Sequence, residues 1–398
     1  MGKSTIGVEV ELNLIDREGY ISNTADAVLR DSKNPGCFVG EATLAQVEYN
    51  STPAETIVEL AGEIKGKLSL LEIICADLGV YPVAVSEYGA GKGISRKGKE
   101  RYDAYDTILG NDKNLEINTI SGIHIHVSQD EKEDKKLAQF QLLYALDPIS
   151  YGITSTSPLR YDGLNSLNCH RIQLMRHHVF SEFPLHAQLQ EYPKLWREIE
   201  EQNVERFWQW QKASGMSAEK FSSLFTPENT GYAPIRKRDG IGKTGTFEIR
   251  TCDSTPLQYA LGTMAVYKGC NDFMLQENIA VEVAQRKGEY EFSERGVVLP
   301  TLRTLQMLEY EAIRYGMTSK LMKEYVGKVV RFAEKGLNEA ERKYLLPVQE
   351  MVESGVNPST KVNRFLRRDG YMVKQFTPER AAEGNIFLRE LYKEGLQN

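Results

Sequence analysis

Three short segments alternate strictly between apolar and ionisable residues: Val8-Glu9-Val10-Glu11-Leu12, Ile123-His124-Ile125-His126-Val127 and Phe247-Glu248-Ile249-Arg250. In a β-strand residues i and i+2 share a face. Each segment therefore reads as a strand with one apolar face, which must pack on something, and one face of charged or imidazole groups. Taken singly, each is explained by a half-exposed strand with a solvated outer face. Together they are not. A solvated face mixes Lys, Thr, Ser and Gln with its acids, whereas these three present Glu, Glu, His, His, Glu and Arg, the inventory of a metal site. Glu41 and Glu48 add two carboxylates, Glu48 sitting between Val47 and Tyr49 in a further strand over Ala45–Tyr49. Carboxylates with at most one imidazole suit the hard ions Mg²⁺ or Mn²⁺; a zinc site would bring more His or Cys.

The rest of the chain supplies the frame. Thr52-Pro53-Ala54-Glu55 reads as a capping box that starts a helix. Its buried stripe is Ile57, Leu60, Ile64, Leu68, Leu71, Ile74 and Leu78, and Gly79 ends it. Tyr81 to Val85 reads as a strand, Tyr88 to Arg101 as a mobile loop rich in Gly and Lys, and Leu115 to Ser128 as two strands about a turn at Ser121-Gly122. Residues 133–150 and 190–212 are helical in pattern, the second carrying Trp196, Trp208 and Trp210. Pro227 to Gly245 is turn-rich and basic; Lys237 and Arg238 read as a solvated turn, while Arg236 and Arg250 flank the polar face. Beyond residue 300 the pattern is helical: Leu302–Tyr315, Ser319–Lys335, Asn338–Ser354 and Pro378–Glu394. Strands before residue 252 and helices after it predict an α+β fold rather than an alternating parallel one. With no repeat and no linker, a single catalytic domain over 1–398 is expected, with a strand-rich core at 6–260 and a helical portion at 300–398.

Several classes are set aside by charge and cysteine usage. Lys plus Arg number 49 and Asp plus Glu 55, a net charge of −6, which argues against broad binding to nucleic acid or to an anionic membrane. Five cysteines, an odd number with no CxxC spacing, argue against a disulfide framework or a zinc knuckle and make a reducing cytoplasm the default. Met1 to Ile6 has no apolar run of the kind a signal peptide needs. Leu68 to Leu78 is too short and too charged to span a bilayer. Two glycine–lysine pairs fall short of a phosphate-binding loop. Gly242-Lys243-Thr244 has Lys237 where the first glycine belongs and leads into a strand, and Gly91-Lys92 is followed by Gly93 with Ser86 at the first position.

In order along the chain, the polar blocks resemble the glutamate–cysteine ligase family of carboxylate–amine ligases, in its shorter, type 2 branch. Gly7-Val8-Glu9-Val10-Glu11 resembles that family's opening strand with paired metal-binding glutamates. Glu41 and Glu48-Tyr49-Asn50-Ser51-Thr52-Pro53 resemble the next block. Ser121-Gly122-Ile123-His124-Ile125-His126-Val127 resembles the Gly-x-His-x-His-Val strand, with His124 the implied metal-binding histidine. Ser157-Pro158, with Arg171 downstream, resembles the Ser-Pro loop and its arginine. Thr246-Phe247-Glu248-Ile249-Arg250-Thr251-Cys252-Asp253, preceded by Pro234-Ile235-Arg236, resembles the last block. The chain departs from the pattern at Leu159-Arg160-Tyr161-Asp162-Gly163 and around Asn168-Cys169-His170, where a substrate would bind.

The resemblance implies a curved, mostly antiparallel sheet forming a funnel, as in glutamine synthetase, with helices outside. It also implies a reaction: ATP phosphorylates a carboxylate, typically the γ-carboxylate of glutamate, and an amine such as cysteine attacks the acyl phosphate. In that reading Glu9, Glu11, Glu41, Glu48, His124 and Glu248 hold Mg²⁺ or Mn²⁺, Arg250 and Arg236 meet the transferring phosphoryl group, and Arg171 clamps a substrate carboxylate. The partners are a small carboxylate and an amine, with no nucleic acid and no membrane; a homo-oligomer is left open. The rival readings are a metal-dependent amidohydrolase built on His124 and His126, a non-catalytic relative that keeps the nucleotide or metal site, and a phosphotransferase acting on a guanidino group.

Overall fold

The computed structural model of the chain describes residues 4–87, 95, 97–98, 100–160, 163–164, 167–368 and 377–397. Most of the glycine- and lysine-rich segment expected as a mobile loop lies outside the described residues, and its last two residues instead open a helix, Glu100–Leu109.

The alternating segments form the centre of one seven-stranded sheet. Its strands are β1 (Ile6–Ile15), β2 (Phe38–Gly40), β3 (Gln46–Asn50), β4 (Tyr81–Val83), β5 (Gly122–Ser128), β6 (Ile235–Arg238) and β7 (Thr246–Asp253). They run in the order β2-β3-β1-β5-β7-β6, with β4 against the far end of β1, and every pairing is antiparallel. The apolar residues of the alternation, among them Val8, Val10, Val47, Ile123, Ile125, Phe247 and Ile249, are buried in one core with the helices Ile57–Asp77 and Leu257–Gln276. Covering that face leaves the other for the ionisable groups.

Register fixes which of them meet. Glu9 stands opposite His124, Glu11 opposite Glu48, His126 opposite Glu248, and Glu248 opposite Arg236. Directly paired residues share a face with Cβ atoms about 5 Å apart, so the four central strands lay these groups side by side. Between β5 and β7 the register shifts: Ile125 pairs with Ile249 but Ile123 with Cys252, so Arg250 and Thr251 both oppose His124. This β-bulge bends the strand at the arginine, as bulges beside functional sites do.

Several local expectations are corrected. The helix begins at Ile57, not after Thr52: Thr56 caps it, accepting from the Glu59 amide at 3.2 Å while the Glu59 carboxylate accepts from Thr56 N. Thr52 instead donates its amide to Glu63, and Ala54 bridges to Ile6, so the first Thr-x-x-Glu is used by the sheet. Leu78 lies past the helix end and is exposed. Residues 111–118 form a helix, so only one strand follows, because the pattern Leu115, Ile117 read as alternation is a helical face. Lys237 and Arg238 are strand residues, not a solvated turn; Lys237 is buried beside Glu200 and Arg238 shares the polar face. The C-terminal helices appear as expected, except that Asn338–Ser354 breaks at a 3-10 turn, Lys343–Leu345. A small sheet, Val281–Val283, Glu291–Ser293 and Gly296–Leu299, precedes them.

A second hydrophobic cluster, including Met175, Phe180, Phe207, Trp210 and Tyr232, lies apart from the main core. His186 is buried within it, stacked on Trp210 with ring centroids 4.9 Å apart, and neither ring nitrogen has a partner. Burial, with the Arg206 charge second, pushes its pKa down to about 3. The unfolded chain takes up a proton near pH 6.5 that the fold refuses, so stability is complete above that pH and falls as pH drops toward 3. The limiting slope is about 1.4 kcal/mol per pH unit. His186→Phe is expected to lose this part of the slope, read from urea midpoints between pH 7 and 5. Parallel curves for the two proteins would show that His186 titrates freely.

Candidate active site

The sheet brings five of the six expected metal ligands onto one face, and Glu41, just past the end of β2, joins them; together they form two groups. Glu9, His124 and Glu248 each offer a ligand atom within 4.8 Å of the others, and so do Glu11, Glu41 and Glu48. In the first group His124 Nδ1 lies 2.7 Å from Glu9 Oε2 and 3.9 Å from Glu248 Oε1. His124 Nε2 lies 3.7 Å from Glu11 Oε1, so the imidazole joins the two groups. Glu11 is anchored by the Gly122 amide at 2.6 Å, and Glu48 by Asn50 at 2.8 Å.

The electrostatics of the two groups differ. Burial opposes the charge on Glu9, but hydrogen bonds with His124 and His126 hold its carboxyl well below the usual range. Glu248 is likewise buried, yet the Arg250 and Arg236 guanidinium groups keep it ionised. Burial, then the Arg250 charge, pushes His124 down, which leaves its imidazole neutral and able to ligate. In the other group burial and the neighbouring Glu41 raise Glu11 to about 8 and Glu48 to about 10. Buried carboxylates this close have too little positive charge around them. A divalent cation supplies what the protein does not, so the oxygen-rich donor set fits Mg²⁺ or Mn²⁺.

The arginines divide between holding the site and facing its cavity. Glu248 is paired with Arg250, with Arg238 at 2.7 Å and with Arg236 at 3.7 Å. Arg238 was missed in the sequence, although it stands two residues from Arg236 on the same strand face. Arg171 donates to the carbonyls of Cys252 and Arg250 at 3.2 and 3.1 Å. It crosses directly over Gly122, where a Cβ would meet its guanidinium and the Cys252 carbonyl, so any side chain there forces the buried arginine to shift. The Nε atoms of Arg171 and Arg250 are buried without a partner. Asp253 accepts from Thr156 N and Ser157 Oγ at 2.9 and 2.7 Å and so fixes the Ser157-Pro158 loop. A buried pair, His170 and Glu87 at 2.6 Å, also escaped sequence reasoning, since 83 residues separate its members.

These groups line one end of a cavity of about 230 Å³. Glu11, Glu41, His124, Arg171, Arg236 and Arg250 form its polar wall. No cysteine lines it, and all five are free thiols, four of them buried. His126 belongs to neither ligand group and spends Nδ1 on Thr246 Oγ1 at 3.0 Å. Its Nε2 lies 3.2 Å from Glu9 Oε1, so it approaches the first group through that carboxylate.

The model of glutamate–cysteine ligase family 2 matches residues 5–394. The chain belongs to that family. Membership makes this family 2 protein an ATP-dependent carbon–nitrogen ligase and removes the amidohydrolase alternative. A search of curated proteins finds no match to the sequence. Among solved structures, a glutamate–cysteine ligase from Francisella tularensis in complex with AMP superposes with a TM-score of 0.63 at 13% identity, over 99% of this chain and 89% of that one. A bifunctional glutathione synthetase from Pasteurella multocida gives 0.61 at 13% identity, over 99% of this chain and 53% of that one. At such identity the likeness is one of fold, and it places this family 2 ligase in the glutamine synthetase-like class expected from its antiparallel sheet. Among the described residues, no helix is long and apolar enough to cross a membrane.

Proposed function

We propose that the chain joins the γ-carboxylate of glutamate to an amine, with ATP as phosphoryl donor, through an acyl phosphate. The observation that carries this reading is the pairing, on one sheet face, of two carboxylate-rich ligand groups with arginines whose Nε–H donors are buried and unsatisfied. A site of that kind accepts anions beside cations, which is what two negatively charged substrates demand. The bound AMP of the Francisella tularensis ligase supports nucleotide use.

Glu9, His124 and Glu248 would hold one Mg²⁺ or Mn²⁺ and Glu11, Glu41 and Glu48 another; such ions neutralise charge on phosphate oxygens. The remaining work falls to the chain's own residues. Arg250 and Arg236 donate to the oxygens of the phosphoryl group as charge develops there. Arg171 orients the donor carboxylate through its free Nε–H. One carboxylate oxygen attacks the γ-phosphorus and the bond to ADP breaks. The amine nitrogen then attacks the carbonyl carbon, phosphate leaves with that oxygen, and nitrogen loses a proton. No enzyme nucleophile takes part, in keeping with a cavity wall that has no cysteine.

With ¹⁸O in the γ-carboxylate of glutamate, one labelled oxygen is expected in the phosphate released per amide formed, and hydroxylamine in place of the amine is expected to give the hydroxamate. Unlabelled phosphate, or AMP and pyrophosphate as products, would overturn the acyl-phosphate route. ATP consumed without phosphate release in the forward step would point to the guanidino phosphotransferase.

A further inference from the structure

Four arginines line the cavity: Arg101, Arg171, Arg236 and Arg250. Arg236 and Arg250 pair with Glu248, and Arg171 lies 3.9 Å from Asp253. Arg101 has no carboxylate partner among the described residues. Its guanidinium is nonetheless held in place. It donates from Nη2 to the Asn229 carbonyl at 2.8 Å, and from Nε and Nη2 to the Tyr105 hydroxyl at 3.3 and 3.2 Å. It also lies over the Phe225 ring, 5.0 Å from the centroid. The helix Glu100–Leu109 presents Arg101 and Tyr105 one turn apart on the same face, and Asn229 comes from the turn Pro227–Asn229. All these contacts are to neutral groups, so the charge is positioned but not neutralised.

The donors left over suit a carboxylate. Nη1 of Arg101 has no hydrogen bond among the described residues, and the Tyr105 hydroxyl, which accepts from the arginine, keeps its own proton to donate. A guanidinium with a neighbouring hydroxyl offers a carboxylate charge-assisted hydrogen bonds from adjacent donors. Tyr102, on the same helix, also lines the cavity. Burial, then the Glu41 charge, pushes its phenol up to about 12, and the Arg101 charge acts in the opposite sense, so the fields of the two meet at one cavity residue.

We propose that Arg101, with Tyr105, seats the α-carboxylate of an amino-acid acceptor. This rests on the ligase reading above and assigns a residue to the recognition of its second substrate. ATP and the carboxylate it activates are met by the metal ions and by Arg171, Arg236 and Arg250. An amino-acid acceptor brings one more carboxylate into the same chamber, and a charge taken out of water needs a partner of its own. Arg101 is the cavity cation that remains for it. The chamber is small, about 230 Å³, against about 150 Å³ for a cavity that takes up benzene, which limits the acceptor to a compact amino acid such as cysteine.

The full chain with MgATP and glutamate is assayed for ADP release and, by mass spectrometry, for amide, with hydroxylamine, cysteine and cysteamine as acceptors. Cysteamine is cysteine without its carboxylate, and hydroxylamine tests ligation alone. The wild type is expected to prefer cysteine to cysteamine by at least about 10-fold in kcat/KM, the scale of a hydrogen bond to a charged group. Arg101→Gln is expected to lower that cysteine-to-cysteamine ratio by about 10-fold or more, through the KM for cysteine. Arg101→Lys, which keeps the charge and loses the fork, is expected to lower it less. Hydroxamate formation by a wild type with no preference for cysteine would overturn the carboxylate seat and leave the ligase intact. A raised KM for glutamate in Arg101→Gln, with the ratio unmoved, would give the guanidinium to the donor and overturn it too. So would a loss shared equally by all the acceptors with a lower melting temperature, which marks a structural contact to Phe225 and Asn229. No hydroxamate and no ADP with any acceptor would overturn the ligase reading itself, and the seat with it.

Discussion

Replacing Glu11 by Gln is expected to lower the ligation rate by about 10³-fold, the scale on which a site loses catalysis when a charge-stabilising group is removed, while the protein stays folded. Glu11 sits at the centre of the site: it belongs to the Glu41 and Glu48 group, lies 3.7 Å from His124, and lines the cavity. Glutamine keeps its size and can still accept from the Gly122 amide, so the β1–β5 pairing is not disturbed. The change removes one of three crowded carboxylates, so repulsion falls and the melting temperature of the metal-free protein should not drop. A second readout separates ligand loss from any catalytic effect. A cation that binds only the folded state stabilises it by about 2.7 kcal/mol at 100 times its Kd. Mg²⁺ should therefore raise the melting temperature of the wild type, and raise it much less in Glu11→Gln. Equal shifts in both proteins, or a variant with near wild-type rate at saturating Mg²⁺, would remove Glu11 from the ligand set.

The sequence carried this site further than it carried the fold around it. Alternation is a local signal, and in a strand it fixes the face of each side chain once the apolar residues are known to be buried. Glu9, Glu11, His124, Glu248 and Arg250 were legible for that reason. Glu48 was legible because it is flanked by Val47 and Tyr49; Glu41 lies in no strand, so alternation says nothing of its face. What alternation does not give is the partner strand. The approach of Arg171 over Gly122, or of His170 to Glu87, depends on pairing between segments far apart in sequence. Arg238 was hidden by composition: among Arg236, Lys237, Arg238 and Lys243, a basic run reads as solvent-facing, and only the paired Glu248 turns it inward. The apolar residues of the cavity were invisible for a third reason: Phe180, Trp210 and Tyr232 sit in a turn, a helix and a loop, and nothing local distinguishes a ring packed against protein from one that lines a space. The false helix start at Thr52 has the same origin, for two Thr-x-x-Glu boxes lie four residues apart and the sheet, through Ile6 and Ala54, takes the first.

Arg250→Lys is the sharpest test of how the arginines are used. Three arginines converge on Glu248; Arg236 and Arg250 both line the cavity, and of the three it is Arg250 that also lies against the Tyr232 ring at 5.5 Å and keeps an unpartnered Nε–H. Lysine retains the charge and loses the planar fork, so it can remain paired with Glu248 but cannot also present two parallel donors to a phosphoryl group. With Arg236 and Arg238 still in place, Glu248 is not left as an uncompensated buried charge, so the large destabilisation caused by breaking a buried pair is avoided. A fall in kcat of about 10²-fold or more is therefore expected, the cost of losing one donor to developing charge, with KM for ATP and glutamate changed far less. Arg238→Lys is the matched control: it perturbs the same carboxylate from outside the cavity, and its kcat should fall by less than about 10-fold. If Arg250 were only a structural partner of Glu248, the two variants would lose melting temperature together and kcat hardly at all. Equal kcat values for Arg250→Lys and Arg238→Lys would assign Arg250 to the ion pair and take it away from the phosphoryl group.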